Sequence, residues 1–235
     1  MSEGGRQAGA QTLARGLRAL LLVVEAGEPM TAAQVAEALG THRTIAYRLL
    51  QTLTEFRMLH QGADGRYSAG AGLASLNAGY QAHLRETALP VMRDAADDLT
   101  ATVALIAAEG AEAVSVAIAT PVSATYHLAF RQGSRHPIDR GSAGYALLSL
   151  DPPSADEPEA VTIARERGYA SSKDEVEAGA YGIAVPLRVP GMTVRACLNL
   201  ITFREEAATA AVDRMMLAAG RLSDKLALRG SAPPS

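Results

Sequence analysis

Residues 31 to 56 carry the pattern that most limits how this chain folds: two amphipathic helices separated by one glycine. The segment TAAQ is a capping box, in which the Thr31 hydroxyl bonds the amide three residues on and Gln34 reaches back. Gly40 then acts as a left-handed stop, and a further helix begins at Thr41 or His42. The expected apolar side of that helix comprises Ile45, Leu49, Leu50, Leu53 and Phe56. Two short helices around a glycine-centred turn predict a helix-turn-helix.

The flanking segments extend this unit to residues 11–69. Apolar residues at helical spacing predict a first helix over Gln11–Ala26, which Gly27 ends. After residue 56 the pattern changes to strand, tight turn and strand. Asp64 and Gly65 predict a two-residue hairpin turn in which both take positive φ. A hairpin directly after the second helix of the motif is the wing of a winged helix, so we predict a winged helix-turn-helix domain.

The rest of the chain predicts a second, α+β domain. Residues 70–86 are expected to form a linker helix, followed by a short break, with Pro90 in the first turn of a new helix. The second domain is expected over 87–229, while 1–10 and 230–235 are expected to be disordered. The predicted strands are 102–108, 113–119, 125–131, 181–189 and 194–203, and the predicted helices are 142–150, 159–167 and one long C-terminal amphipathic helix. Consecutive strands joined by short turns predict an antiparallel sheet at the centre.

Composition excludes several classes of protein. The net charge of −3 argues against a generally basic nucleic-acid binder, although DNA readout depends on where the cations lie. The single cysteine, Cys197, excludes an intramolecular disulfide and any multi-cysteine metal site. No stretch reaches about 18 apolar residues, so no membrane span is expected. We therefore expect a cytoplasmic protein without a metal or cofactor.

Seven residues of the first domain have the chemistry of DNA contacts. A helix in the major groove presents arginine forks to guanine and short polar groups to phosphate. Arg43, near the helix start, is the expected base reader, while Tyr47 and Arg48 suit either bases or phosphate. The other candidates are Thr44, the wing residue Arg66 in the minor groove or on the backbone, and Thr31 and Gln34 at a helix start facing phosphate. The alternative is that all seven are ordinary solvated residues.

Three stretches together resemble the IclR family of bacterial regulators, the isocitrate lyase regulator type. They are THRTIAYRLLQTL, GSRHPIDRGSAGYALLS and RERGYASSKDEVEAGAYGIAVPLRV, and the likeness runs from about Leu13 to Leu226. The resemblance implies a winged helix, a linker helix and a GAF-like C-terminal domain. It also implies homodimers or homotetramers and a small organic acid or aromatic metabolite as effector. The chain departs from the family at Ile45, where Thr is usual, at Arg57, where Gly is usual, and at Tyr145, where Lys is common.

The resemblance also assigns an effector pocket. The matching segment of the family binds a carboxylate through backbone amides, which fall here on Ser142 and Ala143 before a short helix. Further pocket positions fall on Ser172, Gly182, Asn199 and, less directly, Cys197. Family members that read small oxo acids have Asp and Cys at the positions of Ser172 and Gly182, so a different ligand and a roomier pocket are expected here. Ser142 as a plain helix N-cap and Cys197 as a small core residue are the competing interpretations.

The function expected from these features is that of a transcriptional regulator. It would bind double-stranded DNA at a palindromic operator and respond to a small-molecule effector. Two alternatives stay open: a winged helix that binds protein instead of a specific DNA site, and an enzyme with Cys197 as nucleophile. The enzyme is disfavoured because no histidine lies near Cys197 in the sequence and no P-loop, dinucleotide or zinc-protease motif occurs.

Overall fold

The computed structural model describes residues 10–79, 81–122 and 131–230. The chain divides into two compact units, Met1–Tyr80 and Gln81–Ser235. The termini expected to be disordered lie outside the described residues, apart from residues 10 and 230. No helix in the described ranges has the length and apolar character needed to cross a bilayer.

The first unit is a winged helix-turn-helix, as predicted. Its elements are α1 Gln11–Glu25, α2 Ala32–Ala38, α3 Arg43–Glu55, β1 Leu59–Gln61, β2 Tyr67–Ala69 and α4 Gly72–Gly79. The core joins the inner faces of α1 and α3 to the hairpin, with Val23, Leu50, Leu59 and Tyr67 fully buried among its members. This packing fixes α3 against the rest of the unit and leaves its opposite face in solvent.

The predicted capping box is confirmed at the start of α2. The amide of Gln34 donates to the Thr31 hydroxyl at 3.3 Å, and the amide of Thr31 donates to Gln34 Oε1 at 2.8 Å. Gly40 takes a φ of +59°, the left-handed stop that the sequence predicted. The turn between α2 and α3 is therefore set by local chemistry.

Replacing Thr31 with Ala is expected to lower the free energy of unfolding by about 1 kcal/mol, because an orphan amide of α2 loses its partner. Chemical denaturation followed by circular dichroism measures the difference. Thr52→Ala, within α3, is the matched control, since it removes a hydroxyl that bonds only the carbonyl of Arg48 in its own helix. A Thr31→Ala protein as stable as the wild type would show that the box contributes nothing to this fold.

The wing differs from the predicted hairpin in its turn. The amide of Gly65 donates to the carbonyl of Gly62 at 2.9 Å, and the amide of Gly62 donates to the carbonyl of Arg66 at 2.8 Å. Gly65 has a φ of +76°, whereas Asp64 is absent from the described non-glycine residues with positive φ. The prediction of two positive-φ residues was wrong, because the loop is a three-residue turn that needs only its last residue in the left-handed region.

The buried face of α3 also differs from the prediction. Ala46, Leu49 and Leu50 are buried, whereas the side chains of Ile45 and Phe56 are 41% and 69% exposed. At about 100° per residue, Ile45 and Phe56 lie roughly a quarter turn from the centre of the buried stripe. Their assignment to the core was wrong, and Ile45 instead borders the solvent face of the helix.

The second unit is built on an antiparallel six-stranded sheet in the order β5-β4-β3-β8-β7-β6. The strands are β3 Thr102–Glu109, β4 Glu112–Ala119, β5 Arg135–Pro137, β6 Ala170–Lys173, β7 Tyr181–Pro186 and β8 Ala196–Thr202. The helices are α5 Ala82–Leu99, α6 Gly141–Leu148, α7 Glu159–Arg167, α8 Glu205–Ala210 and α9 Val212–Gly230. The predicted α+β class with a central antiparallel sheet is confirmed.

Each face of the sheet packs against its own pair of helices. One core lies between the sheet and α5 with α9, where strand residues such as Leu105 and Leu198 meet Met92 and Met215. The other core lies between the sheet and α6 with α7. Because side chains alternate along a strand, Cys197 and its same-face neighbours in β8 project toward α6.

Four features of this unit differ from the predicted elements. The break placed before Pro90 was wrong: α5 runs from Ala82 through Pro90, and it begins directly after Gln81, which has a φ of +47°. The single C-terminal helix is two helices, α8 and α9. Strands β5 and β6 were missed, because short edge strands carry little periodic signal. Most of the predicted strand 125–131 lies outside the described residues.

Candidate functional site

The solvent face of α3 carries the four helix residues predicted to contact DNA. Arg43, Thr44, Tyr47 and Arg48 are all exposed and share one side of the helix. Among the described residues, neither arginine has an ion-pair partner. His42 is the N-cap and accepts from the amide of Thr44 at 3.4 Å, so the start of α3 is fixed. The face therefore presents two unpaired cations and two hydroxyl groups from a rigid helix.

The other three DNA candidates are already engaged within the domain. Arg66 donates to the carbonyl of Pro29 at 3.2 Å and pairs with Asp64 at 3.6 Å, which holds the guanidinium against the wing. The side-chain oxygens of Thr31 and Gln34 serve the capping box. Their contacts with DNA remain predictions, and a DNA contact by Arg66 would compete with its present bonds.

A small cavity opens at the N-terminal end of α6 in the second unit. The space open to the centres of water-sized spheres is about 30 Å³, and the cavity is partly open to solvent. The described residues that line it are His136, Ser142, Ala143, Ser172, Glu175, Val176, Glu177, Ala180, Tyr181, Gly182, Asn199 and Ile201. Five of the six residues predicted for an effector pocket are among them, and the sixth, Cys197, is not.

Hydrogen bonds between distant segments build the polar end of this cavity. The Ser142 amide donates to Ser172 Oγ at 2.8 Å, and the Ser142 hydroxyl donates to Asn199 Oδ1 at 3.0 Å. Ser142 and Asn199 are 3% and 5% exposed, so both bonds are shielded from bulk water. A Cβ added at Gly182 would lie 2.2 Å from the Ser142 hydroxyl, so the glycine leaves the space that these side chains occupy. The interpretation of Ser142 as the N-cap was wrong, because Arg140 holds that position.

Glu175, in the loop after β6, lies at the N-terminal end of α6. Its Oε2 accepts from the amide of Gly141 at 2.8 Å and from the hydroxyl of Tyr145 at 2.5 Å. Burial and, next, the bond to Glu175 raise the pKa of Tyr145 to about 12, so this hydroxyl is a donor throughout the physiological range. A carboxylate of the protein itself thus lies at the positive end of α6.

Cys197 belongs to the core beneath the cavity. Its side chain is fully buried, and its thiol donates to the carbonyl of Ala143 at 3.8 Å. Burial strongly raises the pKa of the thiol, which disfavours the thiolate that a nucleophile requires. Cys197 therefore acts as a packing residue, and the prediction that it lines the pocket is contradicted.

His136 brings a neutral imidazole to the cavity. Burial lowers the pKa of His136, and its Nδ1 lies 2.8 Å from the carbonyl of Pro137. The remaining nitrogen has no partner among the described residues. The described residues also contain no cluster of His, Cys, Asp or Glu side chains suited to a metal ion.

Sequence reasoning missed the cavity residues that come from β5, β7, β8 and the loop before β7. The missed lining residues are His136, Glu175, Val176, Glu177, Ala180, Tyr181 and Ile201. One signal was present: alternation along β8 places Ile201 on the same side as Asn199. Glu175 lies in the third stretch of the family resemblance, where it matches a family position, but its bond to Gly141 was not predicted, because the two residues lie 34 positions apart.

Comparison with known proteins relates the chain to one group of regulators. Residues 12–63 match the model of the IclR helix-turn-helix domain. No curated protein sequence matches the chain.

Three solved structures share the fold over nearly the whole chain. An IclR homologue from Microbacterium hydrocarbonoxydans, complexed with 4-hydroxybenzoate, is 25% identical, covers 94% of this chain and 100% of its own, and has a TM-score of 0.78. The IclR transcriptional regulator of Alicyclobacillus acidocaldarius is 23% identical over 92% of this chain and 98% of its own, with a TM-score of 0.74. The IclR of Thermotoga maritima is 20% identical over 92% and 99%, with a TM-score of 0.73. The chain thus contains a segment similar to the IclR helix-turn-helix domain, and over nearly its whole length its fold is similar to that of these solved IclR structures.

Proposed function

We propose that this protein is a sequence-specific DNA-binding regulator that a small-molecule effector controls through the cavity at α6. The observation that carries the proposal is the exposed face of α3 in an IclR-type helix-turn-helix domain. That face combines two arginines lacking described ion-pair partners with the hydroxyls of Thr44 and Tyr47. Such a set suits the edges of bases and the phosphates beside them.

Within this face, Arg43 is the proposed base reader. It occupies the first helical position of α3, where the recognition helix of a helix-turn-helix enters the major groove. Arg48, one turn further along, and Tyr47 are proposed to contact phosphate or base. The hydroxyl of Tyr47 accepts from Gln51 at 2.9 Å, which orients it on the solvent side. Arg66, Thr31 and Gln34 are proposed to add contacts from the wing and the start of α2.

The effector is proposed to be a small organic acid or an aromatic metabolite that binds against Ser142, Ala143, Ser172, Gly182 and Asn199. Support comes from a cavity with buried polar groups at one end, the usual form of a small-molecule site. A relative of the same fold is complexed with 4-hydroxybenzoate.

We further propose that the protein acts as a homodimer or homotetramer on a palindromic operator. A two-fold assembly presents two recognition helices to two half-sites, so operator symmetry mirrors protein symmetry. The effector then changes DNA affinity only by binding one arrangement of the DNA-binding domains more tightly than another.

Selection from a pool of randomised duplexes tests the proposal. We expect the full chain to enrich one palindromic sequence with two half-sites about one helical turn apart, or a multiple of that distance. The same selection with the α3 variant Arg43→Ala is expected to enrich nothing. A pool that stays random with the wild-type protein would contradict the proposal and favour a winged helix that binds protein.

A further inference from the structure

The donors at the start of α6 are already used by the chain's own side chains. The Gly141 amide donates to the Glu175 carboxylate, and the Ser142 amide donates to the Ser172 hydroxyl. Of the two α6 residues that line the cavity, Ser142 and Ala143, only Ala143 has an amide with no described side-chain partner. Glu175 thus occupies the place at the helix terminus where an effector carboxylate would otherwise bind.

The charges around the cavity also oppose an anion. Among the described lining residues, the groups charged at neutral pH are the carboxylates of Glu175 and Glu177. No described lysine or arginine lines the space, and His136 is held neutral by its lowered pKa. Two described cations flank the lining without being part of it: Arg140 at the N-cap of α6, and Lys173, whose Nζ lies 5.0 Å from the ring centroid of Tyr181. An effector carboxylate in the cavity would therefore approach the carboxylates of Glu175 and Glu177 more closely than any cation of the lining.

The polar end of the cavity instead offers hydrogen-bond donors. The Asn199 side chain is 5% exposed; its Oδ1 accepts from Ser142, and its Nδ2 has no acceptor among the described residues. The Ser172 hydroxyl accepts from the Ser142 amide, so its own proton also lacks a described acceptor. Two donors on the cavity wall, both without a described acceptor, fit a ligand that brings an uncharged acceptor.

We propose that the effector is an uncharged carbonyl compound, such as an amide, ester or ketone, whose oxygen accepts from Asn199 and Ser172. This inference rests on the proposed effector function of the cavity and replaces the organic acid among the proposed effectors, because it excludes the free carboxylic acid. Glu175 acts as the specificity-determining residue: it holds the helix terminus and repels the acid.

Binding of matched amide and acid pairs tests the inference. The probes are benzamide with benzoate, 4-hydroxybenzamide with 4-hydroxybenzoate, and butyramide with butyrate, measured by isothermal titration calorimetry on the full chain. We expect at least one amide to bind the wild type about tenfold or more tightly than its acid. Glu175→Gln keeps an acceptor for Gly141 and removes the charge, so it is expected to bring the two affinities within about threefold.

Glu166→Gln is the control, because it makes the same charge change at an exposed position of α7 outside the cavity. It is expected to leave the amide preference unchanged, and melting of each variant without ligand checks that it folds. The inference is overturned if the wild type prefers the acid, if Glu175→Gln leaves the ratio unchanged, or if no amide binds. The proposed regulatory function fails separately, by the absence of a selected DNA sequence.

Discussion

Replacing Arg43 with Ala is expected to abolish selective binding to the enriched operator while the protein stays folded. A bidentate arginine–guanine pair contributes about 1–3 kcal/mol of discrimination, which is roughly 5- to 150-fold in affinity for each recognition helix. Arg43 is exposed at the start of α3 and has no described ion-pair partner, so its removal leaves no buried group unpaired. Gel-shift titration against operator and scrambled duplex measures the loss.

Two further variants separate the contribution of base recognition to DNA affinity from the contribution of positive charge. Arg15→Ala removes the same charge from the exposed side of α1 and is expected to change operator affinity by less than about threefold. Arg43→Lys retains the charge without the planar fork, and is expected to keep non-specific affinity but lose preference for the operator. Unchanged operator affinity in Arg43→Ala would show that Arg43 does not contact DNA.

Gly182→Ala is expected to eliminate the response to effector and to leave operator binding intact. The added Cβ would lie 2.2 Å from the Ser142 hydroxyl and 3.1 Å from that of Ser172. Ser142 must then rotate, which breaks its buried bond to Asn199 and costs about 1–3 kcal/mol of stability. The same methyl group fills the space beside the Ser172 hydroxyl, so the ligand loses its position.

The matched variant for this test is Gly220→Ala. Gly220 lies in α9, where an added Cβ meets nothing within 4 Å, so the same methyl group should raise helix stability by up to about 1 kcal/mol. Ligand binding, measured with the tightest-binding amide, is expected to be lost in Gly182→Ala and unchanged in Gly220→Ala. An amide that still binds Gly182→Ala normally would place the effector outside this cavity.

The sequence predicted the DNA-binding unit best where the chemistry is local. The capping box spans residues 31 to 34, and the left-handed stop needs only Gly40, so neighbouring residues determine both. Ile45 and Phe56 were assigned to the core because hydrophobicity alone does not show which residues at the edge of a stripe are covered. Which of these residues are covered depends on α1 and the wing, which pack on α3 from elsewhere in the chain.

The effector cavity was predictable only in part. Resemblance gave Ser142, Ala143, Ser172, Gly182 and Asn199, which the structure brings together in one cavity. The resemblance included Glu175 as a matching position but did not give its role, because the bond from Gly141 to this carboxylate depends on how the loop after β6 returns to α6. Pro90 shows the same limit: a preference for the first turn of a helix did not prevent α5 from continuing through it.

We propose above that this protein recognises a DNA sequence. The most direct test of that proposal is fluorescence anisotropy of the full chain with the selected palindrome and with a scrambled duplex of equal length, both at physiological salt. We predict at least about a thousandfold preference for the palindrome, since specific regulators typically exceed their non-specific affinity by that factor or more. Equal affinities for the two duplexes that fall together as the salt concentration rises would show binding to phosphates alone. That result would contradict sequence-specific binding.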